Sequence, residues 1–210
     1  MFIVIEGADY SGKTAQIARL TKRLKAVSGR EVLQLEFPSD STAGYAARKC
    51  IKARWQEVSD DPLFQPIVVQ GQMTVDRYSK ADAIRACIRM GGIVVVGRWK
   101  PSGVIYGEAD GLDPGWILAS QSSLPDADLH ILLDVPLATI EERMHFRSLG
   151  RDRFENPTFQ ARVVAGYRRM WIEGEHRECY NGKWIAIDGT KSQEEVHEAI
   201  WSTVVANAVP

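Results

Sequence analysis

A short stretch near the start of the chain combines glycines, a lysine and a threonine at a spacing that binds phosphate. Gly7 is followed after four residues by Gly12, Lys13 and Thr14, between the apolar run 2–6 and an amphipathic stretch. Glycines let the backbone turn so that successive N–H groups, with the positive end of the next helix, point at phosphate oxygens. Lys13 is expected to reach the β- and γ-phosphates and Thr14 to hold Mg²⁺. The pattern predicts a nucleoside triphosphate site made of Gly7, Asp9, Tyr10, Ser11, Gly12, Lys13 and Thr14.

A second chemical feature is a series of arginines. Arg77 lies in a long helical stretch and Arg98 at the end of the third predicted strand. In phosphoryl transfer, catalysis is mainly alignment of the reactants and neutralisation of negative charge. A guanidinium suits both tasks because its planar fork holds phosphate through two hydrogen bonds and stays charged. Arg98 is therefore the leading candidate to clamp an acceptor phosphate.

Four more arginines follow the fourth predicted strand, namely Arg143, Arg147, Arg151 and Arg153. The first two are spaced i, i+4 on one helical face, and Gly150 then interrupts the helical pattern. We interpret the segment 144–156 as a small arginine-rich lid, whose closure over a triphosphate would exclude water and suppress hydrolysis. A solvated helix end is the alternative for any single one of these arginines.

Apolar strands alternate with helical stretches and position these residues. Strands are predicted at 2–6, 31–37, 92–96, 130–135 and 183–187, and helices at 13–27, 43–57, 64–90, 136–147, 155–179 and 192–207. This alternation predicts an α/β fold of the P-loop NTPase type, a three-layer sandwich with helices on both faces of a five-stranded parallel sheet. Phosphate chemistry then falls at the carboxyl ends of the strands. Segments rich in Pro and Gly, such as 101–103 and 113–115, are predicted loops.

Length and composition fit one domain, residues 1–210, with a small lid. Of the 210 residues 45% are hydrophobic, and the formal net charge is −1, so neither nucleic acid nor a membrane surface is indicated as a partner. The apolar runs are too short to span a bilayer, and we see no signal peptide. Cys50, Cys87 and Cys179 are odd in number and lack metal-binding spacing, which favours a reducing, cytoplasmic environment.

A phosphate loop alone is compatible with a GTPase, a motor, a small-molecule kinase or a sulfotransferase-like protein. The Asn-Lys-x-Asp motif with which a GTPase ordinarily recognises guanine does not occur in the sequence. Two groups of arginines accompany the single phosphate loop. They favour a protein with two phosphorylated substrates, a donor and an acceptor.

The chain resembles the thymidylate kinases, nucleoside monophosphate kinases of the P-loop superfamily, over nearly its whole length. The matching segments are 7–14, 37–38, 76–80, 98–99, 102–106, 124–129, 133–136, 152–156 and 187–190. The resemblance implies an enzyme that uses ATP and Mg²⁺ to phosphorylate a deoxynucleoside monophosphate, foremost dTMP to dTDP. It also implies a homodimer formed through the helices near 43–57 and 64–90.

The resemblance also implies roles for individual residues. Asp9 would accept a hydrogen bond from the 3′-hydroxyl of the acceptor sugar, Arg77 would contact the base, and Arg98 would hold the monophosphate. The full implied acceptor set is Asp9, Phe37, Met73, Arg77, Arg98, Ser102, Tyr106 and Phe154.

On the donor side, the resemblance implies that Arg143 approaches ATP. The loop formed by Asp188, Gly189 and Thr190 would back the adenine. Tyr10 stands where some members carry a catalytic arginine, so catalysis would depend on arginines of the lid. The implied catalytic set is Lys13, Arg98, Arg147, Arg151 and Arg153.

Three positions depart from the family pattern, and all are on the acceptor side. Gly97 stands where the family has an aspartate near the metal, so that Glu6, Asp134 or a water shell on Mg²⁺ would have to substitute. Asp40 falls where many relatives have a phosphate-binding arginine, and its carboxylate would repel a monophosphate. Met73 stands where a phenylalanine commonly stacks on thymine, and it offers no flat ring.

Three hypotheses follow from the matches and the departures. The first is an ordinary thymidylate kinase. The second is a kinase for another deoxynucleotide, such as a 5-substituted deoxyuridylate of the kind that a virus with modified DNA requires. The third is a nucleotide-binding relative without transfer activity, against which Lys13, Thr14, Arg98 and the lid arginines argue, because a binding module has little need of a transition-state clamp.

Overall fold

The computed structural model describes residues 1–52, 58–146 and 153–207. Five strands form one sheet: β1 (Phe2–Glu6), β2 (Val32–Glu36), β3 (Ile93–Gly97), β4 (Leu129–Asp134) and β5 (Lys183–Asp188). Their order across the sheet is β2-β3-β1-β4-β5, and every neighbouring pair is parallel. The predicted α/β fold is confirmed, with each predicted strand within a residue of its observed bounds.

Eight α-helices connect and cover the strands within the described residues. They are α1 (Lys13–Val27), α2 (Thr42–Lys52), α3 (Phe64–Arg89), α4 (Lys100–Ala109), α5 (Pro114–Ser120), α6 (Leu137–Phe146), α7 (Pro157–Arg168) and α8 (Gln193–Asn207). Alternate residues of β1 face opposite layers, as the pleat of a strand requires. Ile3 and Ile5 pack with α1 and α8. Phe2 and Val4 pack with the larger cluster formed by the other helices.

Two helices that the sequence did not predict, α4 and α5, begin where prolines suggested loops. Pro101 and Pro114 each lie in the first turn of their helix. Proline is well tolerated there, because the N–H that it lacks would have no partner within the helix and its φ is already helical. The prediction of loops at 101–103 and 113–115 was therefore wrong.

The helix predicted over 155–179 is shorter in the structure. It begins after Asn156, whose side chain accepts a hydrogen bond from the backbone N–H of Phe159 at 2.8 Å, as an N-cap does. After Arg168 the chain makes a π-helical turn, Arg169–Glu173, and stops at Gly174, where φ is +87°. Among the described residues, no helix is both long and apolar enough to cross a membrane.

Candidate active site

The predicted phosphate loop connects β1 to α1 and lines the larger of two cavities, about 700 Å³ in volume. Gly12 has a φ of +93° and directly precedes α1, so the first N–H groups of that helix face the cavity. At Gly7, where φ is +148°, an added Cβ would lie 2.7 Å from Ser11 Oγ. The loop therefore needs glycine at both positions, and its backbone is arranged to surround an anion.

Lys13 folds back over this loop instead of extending into solvent. Its Nζ donates to the carbonyl of Ala8 at 2.6 Å and to Ser11 Oγ at 3.3 Å. Burial, and then the nearby charge of Arg98, lower the pKa of Lys13 to about 7. The side chain is thus held in a position where a negatively charged ligand would restore its charge.

Arg98, at the end of β3, forms an ion pair with Asp9 of the phosphate loop. Asp9 also accepts hydrogen bonds from the Tyr106 hydroxyl at 3.1 Å and from Gln160 Nε2 at 2.7 Å. Burial alone would raise the pKa of Asp9, but the charges of Arg98 and Lys13 outweigh it and hold that pKa below its ordinary value. This cluster lies between the phosphate loop and the second cavity.

The second cavity, about 130 Å³ in volume, is enclosed mainly by side chains predicted to bind the acceptor. Its lining includes Asp9, Phe37, Met73, Arg77, Arg98, Ser102, Tyr106 and Phe154. Every residue of the predicted acceptor set is therefore brought together around one space.

Arg77 contributes to this cavity a guanidinium with two unpaired nitrogen atoms. It is only 1% exposed, and its Nε and Nη1 atoms have no hydrogen-bond partner among the described residues. Burial lowers its pKa to about 10, although Glu6 and Asp76 favour the charged form. Buried donors without acceptors are costly. The geometry therefore calls for a ligand that supplies carbonyl or similar oxygens.

Comparison with known proteins agrees with this geometry. A family model described as thymidylate kinase matches residues 5–200. The chain belongs to the thymidylate kinase family. Human thymidylate kinase is 30% identical over 199 residues, which are 94% of this chain and 86% of the human one. Thymidylate kinase from Thermomicrobium roseum is 30% identical over 212 residues, 97% and 93% of the two chains.

A solved structure is similar in fold. The thymidylate kinase from Candida albicans matches with a TM-score of 0.77 and 20% identity, over 98% of this chain and 91% of that one. In this member of the thymidylate kinase family, residues outside the predicted set hold the site in shape, and the sequence reasoning missed their roles.

The first of these supports is Glu6, at the end of β1. Glu6 accepts hydrogen bonds from the backbone N–H of Trp99 and from the Tyr167 hydroxyl, each at 2.8 Å, and from the Ser102 hydroxyl. Its carboxylate thereby fixes the start of α4, which carries Ser102 and Tyr106 into the acceptor cavity. Both oxygens of Glu6 are occupied in this way, and Glu6 does not line the larger cavity.

A second support is Asp76, the neighbour of Arg77 on α3. Its carboxylate accepts from the backbone N–H and the hydroxyl of Ser39, each at 2.6 Å, and from the Ser41 hydroxyl at 2.7 Å. These bonds fasten the loop that follows Phe37 to α3. A buried aspartate next to an arginine in a helix was the available signal, but its partners are distant in the sequence.

The predicted donor-side residues are only partly brought together. Arg143 donates to the carbonyls of Tyr10 at 3.1 Å and Gly189 at 3.0 Å, and so links the phosphate loop to the loop after β5. Gly189 lines the larger cavity, whereas Asp188 and Thr190 do not. Asp188 instead accepts from the backbone N–H and the hydroxyl of Thr190.

The predicted catalytic arginines of the lid have different outcomes. Arg147 and Arg151 lie outside the described residues. Arg153 donates to Asp110 at 2.6 Å and lines neither cavity. Burial raises the pKa of Asp110 to about 6, with Arg153 partly opposing that shift. In this conformation Arg153 is therefore held at the end of α4.

All three departures from the family pattern lie within the described residues. Gly97 ends β3 and lines the larger cavity but not the second one, so the expectation that every departure is on the acceptor side was wrong for this position. The Asp40 side chain is 90% exposed, is paired with Lys80 at 2.9 Å and lines neither cavity. It therefore does not face the acceptor phosphate in the way that the sequence suggested. Met73 lies in the acceptor cavity, where it is 8% exposed.

We expect the binding of a Mg·ATP analogue to take up protons at pH 8. With a pKa of about 7 in the free protein, the Lys13 side chain is mostly neutral at pH 8, and a triphosphate beside it raises that pKa. Binding then draws a proton from solvent at pH 8 and almost none at pH 6. The affinity should fall as the pH rises above 7, by up to about tenfold per pH unit.

Isothermal titration calorimetry at pH 8, in two buffers with different ionisation enthalpies, measures this uptake. A Lys13→Met variant has no titrating group at the position and is the matched control, for which we expect no uptake from this source. Equal heats in the two buffers for the unmodified protein would contradict the position assigned to Lys13.

Proposed function

We propose that the protein is an ATP-dependent kinase that converts dTMP to dTDP. The observation that carries this proposal is that the two cavities share Asp9 and Arg98 in their linings. A triphosphate on the phosphate loop and a monophosphate in the second cavity would therefore meet at Arg98. The comparisons match thymidylate kinases of eukaryotes and bacteria, which favours dTMP over the modified acceptors considered above.

On the donor side, we assign ATP to the cavity in front of α1. The backbone N–H groups of the loop and the charged form of Lys13 would bind the phosphates. Arg143 would lie beside the adenine end, since it joins Tyr10 to Gly189. The proposed donor set is Gly7, Asp9, Tyr10, Ser11, Gly12, Lys13, Thr14, Arg143 and Gly189. Asp188 and Thr190 would act by shaping the loop around Gly189, since they bond to each other and do not line the cavity.

The residues at the start of α1 fit a magnesium ion that accompanies ATP. The hydroxyl of Thr14 is exposed and lines the donor cavity, and a hydroxyl oxygen is a suitable hard ligand. The ion would supply neutralisation of charge on the β- and γ-phosphates. Thr14 is therefore the proposed metal ligand.

On the acceptor side, we assign the base to the end of the cavity that contains Arg77 and Met73, and the phosphate to Arg98. The two unpaired donors of Arg77 would bind carbonyl oxygen of the base. Asp9 would accept the 3′-hydroxyl, with Phe37, Ser102, Tyr106 and Phe154 enclosing the nucleoside.

The reaction joins an oxygen of the acceptor phosphate to the γ-phosphorus and breaks the bond from that phosphorus to the β,γ-bridging oxygen. ADP is the leaving group. Lys13 and Arg98, which both line the donor cavity, would neutralise the charge of the transferred group. Arg147 and Arg151 remain proposed lid residues, and Arg153 would have to leave Asp110 to join them.

We expect dTMP to be the best acceptor in a coupled assay of ADP release with Mg·ATP. The panel consists of dTMP, dUMP, 5-hydroxymethyl-dUMP, dCMP, dGMP and dAMP, with the product identified by mass. A higher kcat/KM for another nucleotide would contradict dTMP as the acceptor and would make Met73, which lines the acceptor cavity, the first candidate for the different specificity. If the protein binds ATP but phosphorylates none of these nucleotides, the proposed function is contradicted.

Replacing Arg77 with Met should weaken acceptor binding without lowering the stability of the fold. We expect kcat/KM for dTMP to fall by about 100-fold, because a charged donor to the base is lost. The free energy of unfolding should be unchanged or higher, because an arginine with unpaired buried donors is replaced by an apolar side chain of similar length.

Arg85→Met is the control for that substitution. Arg85 lies on the same helix but is only partly buried, and it contacts Asp82 and the carbonyl of Ser123 near the surface. Its replacement should leave kcat/KM unchanged. A loss of stability in Arg77→Met, with acceptor affinity retained, would remove Arg77 from the proposed site.

We also propose that residues 1–210 form one domain with a lid at about 144–156, and that the protein is a cytoplasmic homodimer without a nucleic-acid or membrane partner. Cys50, Cys87 and Cys179 are free thiols, which is compatible with a reducing compartment. Helices α2 and α3 pack together and leave apolar side chains largely exposed, including Tyr45 at 59%, Ile67 at 44% and Val75 at 52%.

Sedimentation equilibrium tests the dimer. We expect a mass of twice the 23.5 kDa of one chain, and a shift toward monomer for Val75→Glu, because a charge would be buried in the apolar interface. The control is Val27→Glu, at an exposed position at the end of α1. A monomer at every concentration used for the activity assay would contradict the proposal.

A further inference from the structure

Glu36 ends β2 at the edge of the sheet where the phosphate loop lies. In the parallel pairing of β2 and β3, Glu36 is the register partner of Gly97, so a carboxylate at position 36 is one strand, about 4.8 Å, away from position 97. Glu36 also lines the donor cavity. It was absent from the predicted site because the local sequence gives no sign that β2 ends beside α1.

The carboxylate of Glu36 is bonded to the proposed metal ligand. Thr14 Oγ1 donates to Glu36 Oε2 at 2.9 Å. A hydroxyl has one hydrogen and two lone pairs, so Thr14 can keep this bond while a lone pair faces a cation. In P-loop proteins generally, Mg²⁺ is held by the Ser or Thr of the loop and by a nearby carboxylate. The Thr14–Glu36 pair places these two groups together.

Gly97 leaves the space that the Glu36 side chain occupies. A Cβ added at Gly97 would lie 3.2 Å from Glu36 Cγ and 2.6 Å from Ile17 Cδ1. The severe overlap is with Ile17 Cδ1, whereas Glu36 Cγ would have to move by only a few tenths of an ångström. A side chain at position 97 would therefore displace Ile17 and press against Glu36, and glycine at this position lets both side chains keep their present places.

The other carboxylates at this edge of the sheet have different partners. Asp9 is paired with Arg98, and Glu6 accepts from Trp99 and Tyr167. Asp134, at the end of β4, is paired with Arg168 at 3.3 Å, and Glu155, which lies before α7, accepts from the Tyr10 hydroxyl at 2.7 Å. Within the described part of the chain, Glu36 accepts the bond from Thr14 and forms no ion pair. Its negative charge faces the donor cavity and favours the charged form of Lys13 from a distance, but no cationic side chain of the described residues is bonded to it.

We propose that Glu36 is the carboxylate that anchors the magnesium ion of Mg·ATP beside Thr14, directly or through a metal-bound water, in place of a side chain on β3. Magnesium commonly keeps several waters and takes few protein ligands, which suits a single carboxylate next to a hydroxyl. The proposal deepens, and rests on, the proposed ATP site. On this proposal, Glu36 makes the protein bind the magnesium complex of the nucleotide more tightly than the metal-free nucleotide.

The test compares nucleotide affinity with and without metal, using a non-hydrolysable ATP analogue in Mg²⁺ or in EDTA. In the unmodified protein, Glu36 should repel metal-free nucleotide and attract the magnesium complex. For Glu36→Gln we expect the ratio of the two affinities to fall roughly tenfold or more, with metal-free nucleotide binding more tightly. A residue with a merely structural role would not move the two affinities in opposite directions.

A swap of the carboxylate between strands provides the rescue. Glu36→Ala should lose the metal preference. Glu36→Ala with Gly97→Asp and Ile17→Val should recover most of it, since the loss of Glu36 Cγ and Ile17 Cδ1 frees the space next to β3. Glu31→Gln, at an exposed position before β2, is the matched control and should leave the ratio unchanged.

An unchanged ratio in Glu36→Gln would overturn the inference, as it would mean that Glu36 only bonds to Thr14 and plays no part in metal binding. Because these measurements need no acceptor, they are independent of turnover. Failure to phosphorylate dTMP would contradict the proposed function. The role of Glu36 in metal binding would still be decided by the binding ratios alone.

Discussion

The ion pair between Asp9 and Arg98 connects the parts of the molecule on which its chemistry depends. Asp9 belongs to the loop after β1, and Arg98 follows β3, its neighbour in the sheet. Parallel pairing brings the carboxyl ends of both strands to the same edge, so a residue from each reaches a common point. The two cavities meet at that point, with the donor cavity on the side of the loop and the acceptor cavity on the side of α3 and α4.

The charged groups around this ion pair are held in states that favour a ligand over the empty protein. Lys13 has a pKa lowered to about 7, and Arg77 is buried with two donors unpaired. Both conditions cost stability in the free protein. An anion next to Lys13 and a carbonyl next to Arg77 would remove those costs. The free protein is thereby less stable than it could be, and the binding of a ligand is correspondingly more favourable, as is common at functional sites.

The sequence was sufficient for features whose physical cause is local. The phosphate loop needs glycines at fixed offsets, and the apolar strands follow from short buried runs, so both were predicted closely. Helices α4 and α5 were missed because proline usually indicates a loop. In the structure, Pro101 and Pro114 instead occupy the first turns of these helices. The supports from α7 had no local signal either. Gln160 and Tyr167 reach Asp9 and Glu6 from 151 and 161 residues away.

The strand ends show why a missing residue in a motif is a weak argument against function. Position 97 alone has lost its carboxylate, yet Glu6 ends β1 and Glu36 ends β2, and all three positions lie on one edge of the sheet. Glu6 is committed to the backbone of Trp99 and the hydroxyl of Tyr167, whereas Glu36 points to Thr14. Parallel strands end at a common edge, so a carboxylate on β2 can lie next to the start of α1 although β3 carries none there. If the proposed role of Glu36 holds, the place of the charge matters more than the strand that carries it.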